Sequence, residues 1–124
     1  MNIVDSSGWM EYFTGRQNAD FFSPTIEDSE NLLVPVICLH EIFKRVTQLR
    51  DISTAQTCIG DMLNGRVVDL DQSIALEAAQ LSLELKLAMV DSMILATARA
   101  HQATLWTQDE HFKDLPGVRY IEKG

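Results

Sequence analysis

Four acidic residues far apart in the sequence each lie at the end of a predicted strand or in the first two turns of a predicted helix. They are Asp5, Glu41, Asp91 and Asp109. In an alternating α/β chain, an acid at the carboxyl end of a buried strand faces the crevice where such sheets bind ligands. Taken alone, Asp5 and Asp91 are equally typical of helix caps. The recurrence of such acids along the chain is what indicates a site.

The elements that must position these acids alternate along the chain. Short apolar runs predict strands at residues 3–4, 32–35, 67–70, 103–107 and 118–121, and helical spacing predicts helices at 8–13, 36–50, 53–64, 73–87 and 89–100. Ser53 is expected to cap the third helix, and residues 14–31 to hold a weak helix and a loop. The alternation predicts an α/β fold with a mainly parallel sheet of four to five strands.

Chain lengths place two of the acids on one edge of this sheet. From residue 92 to 102 a helix advances about 16 Å, and from 103 to 108 a strand returns about 18–20 Å. Because these displacements nearly cancel, we expect Asp91 and Asp109 on the carboxyl edge that carries Asp5 and lies beside Glu41.

Length and composition limit the class of protein. With 124 residues, 46% of them hydrophobic, the chain suits one compact domain over residues 1–124. Its longest nearly apolar stretch has eight residues, whereas a membrane span needs about 20, and no signal peptide is evident, so a cytoplasmic location is expected. Cys38 and Cys58 lack the close pairing of a zinc site. The net charge of −8 argues against a broad basic surface for nucleic acid and leaves room for divalent cations.

Converging carboxylates repel one another and raise one another's pKa values unless a cation compensates. Mg²⁺ or Mn²⁺ suits such a site, since both take octahedral oxygen ligands and keep positions for phosphate oxygens. One ion activates a water, and a second, where bound, stabilises the leaving oxygen. The predicted chemistry is metal-dependent hydrolysis of a phosphodiester.

Four segments together resemble a known family. VDSS at 4–7, Glu41 in an early helix, DSMILATA at 91–98 and WTQDEHF at 106–112 are similar to the PIN-domain nucleases, and in length and order to VapC-type toxins. Each motif alone is weak, but the resemblance covers essentially the whole chain. It implies a PIN-like, Rossmann-like α/β/α sandwich of three layers.

The resemblance also implies a function and a set of residues. The expected activity is Mg²⁺- or Mn²⁺-dependent endoribonuclease cleavage of RNA by the toxin of a type II toxin–antitoxin pair, as a homodimer neutralised by a cognate antitoxin. Asp5, Asp91 and Asp109 would hold metal directly or through water, and Glu41 would complete the site and orient the attacking water. Ser6 and Thr107 would support the cluster by hydrogen bonds.

Some positions depart from the family pattern or have a weaker case. Gln108 stands where members often have a basic residue, which would weaken a phosphate contact. Lys44, on the same helix face as Glu41, and Arg16, in the first loop, are candidate RNA contacts, although ordinary solvated charges are the alternative. Asp114 is a candidate peripheral ligand. The three histidines lack the mutual spacing of a zinc site.

Two other kinds of function stay open at this point. One is a PIN domain that processes RNA without being a toxin, or that only binds. The other is an acidic, receiver-like binding module without nuclease activity, which would need a lysine after a late strand, where this chain has Thr107-Gln108-Asp109. A haloacid-dehalogenase-type phosphatase would need an acid at Ser7.

Overall fold

A computed structural model describes residues 1–124 and contains one parallel sheet of five short strands. The strand order is β3-β2-β1-β4-β5, and all four neighbouring pairs are parallel. The strands are β1 Asn2–Val4, β2 Leu32–Pro35, β3 Arg66–Val68, β4 Thr104–Thr107 and β5 Val118–Tyr120. The predicted α/β class and the parallel sheet are confirmed.

Six helices connect and flank these strands, and two single 3₁₀ turns, Ser29–Asn31 and Glu110–Phe112, complete the regular structure. The helices are α1 Ser6–Thr14, α2 Ala19–Glu27, α3 Val36–Leu49, α4 Ile52–Met62, α5 Gln72–Leu85 and α6 Met89–Ala100. The longest have 14 residues, and none has the length and apolar character that crossing a bilayer requires.

Several local details differ from the sequence-based expectation, among them the start of α4, the strength of α2 and the end of β3. Helix α4 is capped by Asp51, whose carboxylate accepts the Thr54 N–H at 2.7 Å, and Ser53 lies within the helix. Helix α2 is fully formed despite Pro24, because Phe22 and Ile26 bury one face four residues apart. Strand β3 ends at Val68, two residues early, and the chain then turns to let Asp71 cap α5.

The core explains why the strand ends are firmly positioned. The central strand β1 and its neighbours β2 and β4 carry side chains with almost no exposure, including Ile3, Leu33 and Leu105. Such short, nearly continuous apolar runs form strands because both faces of a parallel sheet are covered by helices. The residues that leave these strands therefore start from fixed backbone positions.

The strand order creates a crevice at one point of the carboxyl edge. From β1 the chain moves to β2 and β3 on one side, and it returns past β1 to reach β4 on the other. Connections that leave adjacent strands in opposite directions open a cleft between β1 and β4, where α/β sheets bind ligands. Asp5 follows β1 and Asp109 follows β4, so both leave the sheet at this cleft.

Replacement of Gly8 by alanine is expected to destabilise the fold. An added Cβ would lie 2.6 Å from Val4 Cγ1 and 2.7 Å from Phe22 Cε1, both in the buried core. Overpacking of this kind costs about 1–3 kcal/mol, which urea unfolding would measure. The matched control is Gly60→Ala in α4, where a Cβ meets nothing within 4 Å and helix propensity favours alanine by roughly 0.5–1 kcal/mol. Equal stability of the two variants would contradict the packing described here.

Candidate active site

Asp5 is buried, and its carboxylate accepts hydrogen bonds from three residues of the site. Its Oδ1 accepts the Gly8 N–H at 2.9 Å, which caps α1, and the Ser7 hydroxyl at 2.8 Å. Its Oδ2 accepts the Thr107 hydroxyl at 2.6 Å. Helix α1 thus begins at Ser6 instead of residue 8, because Asp5 is both its cap and a member of the acidic group. The two interpretations of Asp5 are compatible.

Burial decides the ionisation of this carboxyl. Asp5 is 3% exposed, and loss of hydration raises its pKa from 3.8 to about 6, with the charge of Asp109 adding to the effect. The hydrogen bonds from Thr107, Gly8 and Ser7 favour the charged form and only partly offset the burial. Asp5 therefore stays negatively charged at neutral pH, and this buried charge lowers the free energy of unfolding of the metal-free protein.

Glu41 reaches the same edge from the second turn of α3. The Ser6 hydroxyl donates a hydrogen bond to Glu41 Oε1, which connects the start of α1 to α3. Below them lies Cys38, whose thiol is fully buried; its burial and the nearby Asp5 and Glu41 charges raise its pKa well above the usual range. Cys38 therefore stays a buried thiol in the metal-free protein.

Asp91 lies in the first turn of α6 and does not cap it. The N-cap is Ala88, without a side-chain hydrogen bond. Partial burial raises the pKa of Asp91, and the charges of Asp109 and Glu41 raise it further, whereas His111 acts in the opposite direction. A carboxylate oxygen of Asp91 lies within 4.8 Å of ligand atoms of Asp109 and His111, so Asp91 faces the residues that follow β4.

Asp109 follows β4 and lies between the buried Asp5 and the more exposed His111. Its N–H donates to Thr107 Oγ1 at 2.9 Å, so the Thr107 hydroxyl joins the Asp109 backbone to the Asp5 carboxylate. Its Oδ1 accepts the His111 N–H at 2.9 Å and lies 2.8 Å from His111 Nδ1. Its charge raises the pKa of both Asp5 and Asp91.

The four sequence-predicted acids thus lie at one edge of the sheet, but they differ in burial and in hydrogen bonding. The ligand atoms of Asp91, Asp109 and His111 all lie within 4.8 Å of one another, whereas Asp5 is behind them with both oxygens hydrogen-bonded. Asp114 lies outside this group, exposed and in a left-handed conformation at φ 66°. His111 was not among the residues that the sequence predicted for this group, although it lies two residues after Asp109.

Gln108, which stands where a basic residue is common in the family, is an almost buried residue at the base of the groove. It is 5% exposed and belongs to a buried polar network behind the site. Its amide accepts the Asn18 side-chain N–H at 3.0 Å and donates to Glu11 Oε1 at 3.3 Å. A glutamine fits here because it can serve a donor and a carboxylate at once. The network holds the turn between Thr107 and Asp109 against α1.

A groove of about 1080 Å³ runs along α1, α3 and the start of α6, past Glu41. Its volume exceeds the roughly 300–1,000 Å³ typical of small-molecule pockets. Four of the ten basic residues of the chain line it, including both sequence candidates: Arg16, Lys44, Arg45 and Lys123. Lys44 and Arg16 are exposed and make no salt bridge within the chain.

The raised pKa of Asp5 predicts a pH-dependent gain in stability on Asp5→Asn substitution. A carboxyl whose pKa rises on folding stabilises the protein fully below pH 3.8, and this contribution is lost as pH rises through about 6. In EDTA, the stability of the variant relative to wild type should therefore increase by about 2 kcal/mol from pH 4.5 to 7.5. Urea unfolding at both pH values tests this, with the exposed Glu84→Gln as control. A difference that does not change with pH would contradict it.

Comparisons with known proteins support one fold family. The PIN domain family model matches residues 3–118. No curated protein sequence gives a significant match. Among solved structures, a chain of a toxin–antitoxin complex from Klebsiella pneumoniae is 24% identical, with 96% of both chains covered and a TM-score of 0.81.

Two further structures share the fold at lower identity. VapBC2 from Rickettsia felis, bound to a DNA fragment from its promoter, is 16% identical over 98% of this chain and 97% of that one, with a TM-score of 0.75. VapC20 from Mycobacterium tuberculosis, a toxin that cleaves the sarcin–ricin loop, is 15% identical over 90% and 92%, also with a TM-score of 0.75. Because the family model spans nearly the whole sequence, this chain belongs to the PIN domain family.

Proposed function

We propose that this protein is a Mg²⁺- or Mn²⁺-dependent endoribonuclease and the toxin of a type II toxin–antitoxin pair. The observation that supports it most is the gathering of Asp5, Glu41, Asp91 and Asp109 at the cleft between β1 and β4. No lysine or arginine neutralises them, since the one ion pair of the chain joins Asp109 to His111. Such a group needs a cation from outside the chain.

The donor set fits a hard divalent ion. Asp91 and Asp109 offer oxygen atoms at the mouth of the cleft, within 4.8 Å of each other, and Mg²⁺ and Mn²⁺ bind through one or two carboxylates while keeping waters and phosphate oxygens. Asp5 and Thr107 hold the Asp109 segment in place from behind. A divalent ion bound there would withdraw charge from a phosphate oxygen and acidify water.

Glu41 is positioned to act as the general base. Ser6 holds one of its oxygens, and the other accepts no hydrogen bond from the chain. We assign this second oxygen, Oε2, to take the proton of the attacking water while the water oxygen bonds to phosphorus. The phosphorus–oxygen bond to one ribose breaks, and the leaving oxygen takes a proton from solvent. Glu41 later returns its proton to water.

The groove favours a polyanionic polymer as substrate. Its basic side chains stand beyond the acids along α1, α3 and the carboxyl terminus, in positions to contact phosphates on either side of the reacting one. A groove larger in volume than most small-molecule pockets and open to solvent suits a single strand or a loop of RNA. The similar toxin that cleaves the sarcin–ricin loop is consistent with an RNA substrate.

The partners follow from similarity and from exposed apolar side chains. Similar folds occur in complexes of toxin with antitoxin. Leu49 and Met89, 57% and 66% exposed, border the groove and offer apolar contacts to an antitoxin segment. Leu76 and Leu83, seven residues apart on α5 and 63% and 84% exposed, lie on one helix face suited to a homodimer contact.

Of the other functions considered, a receiver-like module is excluded, and a PIN domain that is not a toxin is the alternative. Membership of the PIN domain family overturns the receiver-like binding module. A PIN nuclease that processes RNA without being a toxin would use the same acids and groove. A short antitoxin reading frame beside the gene, or a small protein that co-purifies and inhibits cleavage, separates the two.

Substitution of Asp91 or Asp109 should abolish cleavage without unfolding the protein. We expect Asp91→Asn and Asp109→Asn to lower Mn²⁺-dependent cleavage of RNA at least about 100-fold, since the lost interaction with charge in the transition state is worth several kcal/mol. Gel assays give the rate, and circular dichroism checks the fold. Glu84→Gln, which also removes one exposed negative charge, should cleave normally. Undiminished cleavage by Asp91→Asn would end the proposal.

Neutralising the basic groove should weaken RNA binding in a salt-dependent manner. Each phosphate contact contributes about 0.7 to the slope of log affinity against log salt for a single strand, so Lys44→Gln and Arg16→Gln should each reduce the slope by about that amount. Fluorescence anisotropy with labelled RNA in EDTA measures binding without cleavage. Lys86→Gln, outside the groove, is the matched control. Equal slopes for all three variants would place the RNA elsewhere.

A further inference from the structure

The imidazole of His111 lies among the outer carboxylates. Its Nδ1 is 2.8 Å from Asp109 Oδ1, and one donor atom each of His111, Asp109 and Asp91 lie within 4.8 Å of one another. Around an octahedral ion with bonds of about 2.1 Å, adjacent ligand atoms lie about 3.0 Å apart and opposite ones about 4.2 Å. A shift of about half an ångström, which rotation of the exposed His111 side chain can supply, would let all three contact one ion.

We propose that His111 is a direct ligand of the divalent ion, together with Asp91 and Asp109, and that it makes the site select Mn²⁺ over Mg²⁺. The proposal rests on the proposed function and assigns the metal preference of the same site. Carboxylate and water oxygens bind both ions, whereas an imidazole nitrogen binds later first-row metals more strongly than it binds Mg²⁺. One nitrogen in the donor set therefore shifts the selectivity.

The position of His111 does not depend on its side chain. Its backbone N–H already bonds to Asp109 Oδ1 at 2.9 Å, and the following Phe112 is buried in the core, so the 3₁₀ turn is held without the imidazole. The side chain is 65% exposed, and an exposed ion pair contributes little to stability. The imidazole is therefore not needed to form the turn and is free to rotate onto a cation.

Asp5 has the complementary role. Its oxygens accept hydrogen bonds from Gly8, Ser7 and Thr107, and the residue is only 3% exposed, so it lies deeper than Asp91, Asp109 and His111. It supports the ion from behind by its charge and by holding Thr107, which in turn orients Asp109. The resulting arrangement has two outer carboxylates and one imidazole in contact with the ion and an inner carboxylate behind them.

The test measures metal binding on the full chain at pH 7.5 rather than cleavage. Pulsed electron paramagnetic resonance of Mn²⁺ bound to wild type should show coupling to a ¹⁴N nucleus, and His111→Gln should lose it. Calorimetry should show the Mn²⁺ dissociation constant of His111→Gln raised about tenfold and that of Mg²⁺ changed less than about threefold. His40→Gln, which removes another exposed histidine that lines the groove, should match wild type.

A second variant keeps the test decisive. His111→Asp replaces nitrogen by oxygen and should lose the ¹⁴N coupling while binding Mg²⁺ at least as tightly as wild type. Mn²⁺ binding by wild type without ¹⁴N coupling, or equal losses of both metals in His111→Gln, would overturn the ligand role and leave the proposed nuclease standing. Absence of any Mn²⁺ binding by wild type would overturn the nuclease proposal itself.

Discussion

The parallel pairing of β1 with β4 is the constraint on which the site depends. Its register sets Val4 beside Trp106, and the Asp5 N–H extends the pairing with a hydrogen bond to the Trp106 carbonyl at 3.1 Å. One step further, the Thr107 hydroxyl donates to Asp5 and accepts from the Asp109 N–H. A slip of one residue would turn Thr107 to the other face of the sheet and separate the two acids.

This arrangement costs stability in the metal-free state. Burial raises the pKa of Asp5, and burial with neighbouring charge raises that of Asp91, so the folded protein disfavours the charged form of both carboxyls. The compensating groups are local: a helix N-terminus, two hydroxyls and one exposed histidine. They are enough to keep the acids together but not to neutralise them. Any divalent ion that binds these carboxylates therefore raises the free energy of unfolding of the protein, because it binds the folded state.

The sequence predicted the features that depend on apolar pattern and chain length. It did not predict those that depend on tertiary contacts between distant residues. The parallel sheet, the bounds of α6 and the convergence of Asp5, Glu41, Asp91 and Asp109 follow from apolar periodicity and from strand ends meeting at one edge. Asp51 and Ser53 are both good caps, and only the backbone selects between them. The buried position of Gln108 depends on hydrogen bonds of its amide to Asn18 and Glu11, some 90 residues away in sequence, which the sequence pattern does not reveal. His111 joins the acids only because a 3₁₀ turn folds it back over Asp109.

The overall charge of the chain, which argues against nucleic acid, is a poor guide to the groove. Over the whole sequence 18 acidic residues outweigh 10 basic ones, but four basic residues and only two acidic ones, Glu11 and Glu41, line the groove. Glu11 is buried within the network around Gln108, and Glu41 belongs to the candidate site. Under the proposed function, an RNA strand that follows the groove therefore meets positive side chains outside the acidic cleft. Beyond a Debye length of about 8–10 Å the remaining acids are largely screened, so the groove and not the net charge governs the approach of a phosphate backbone.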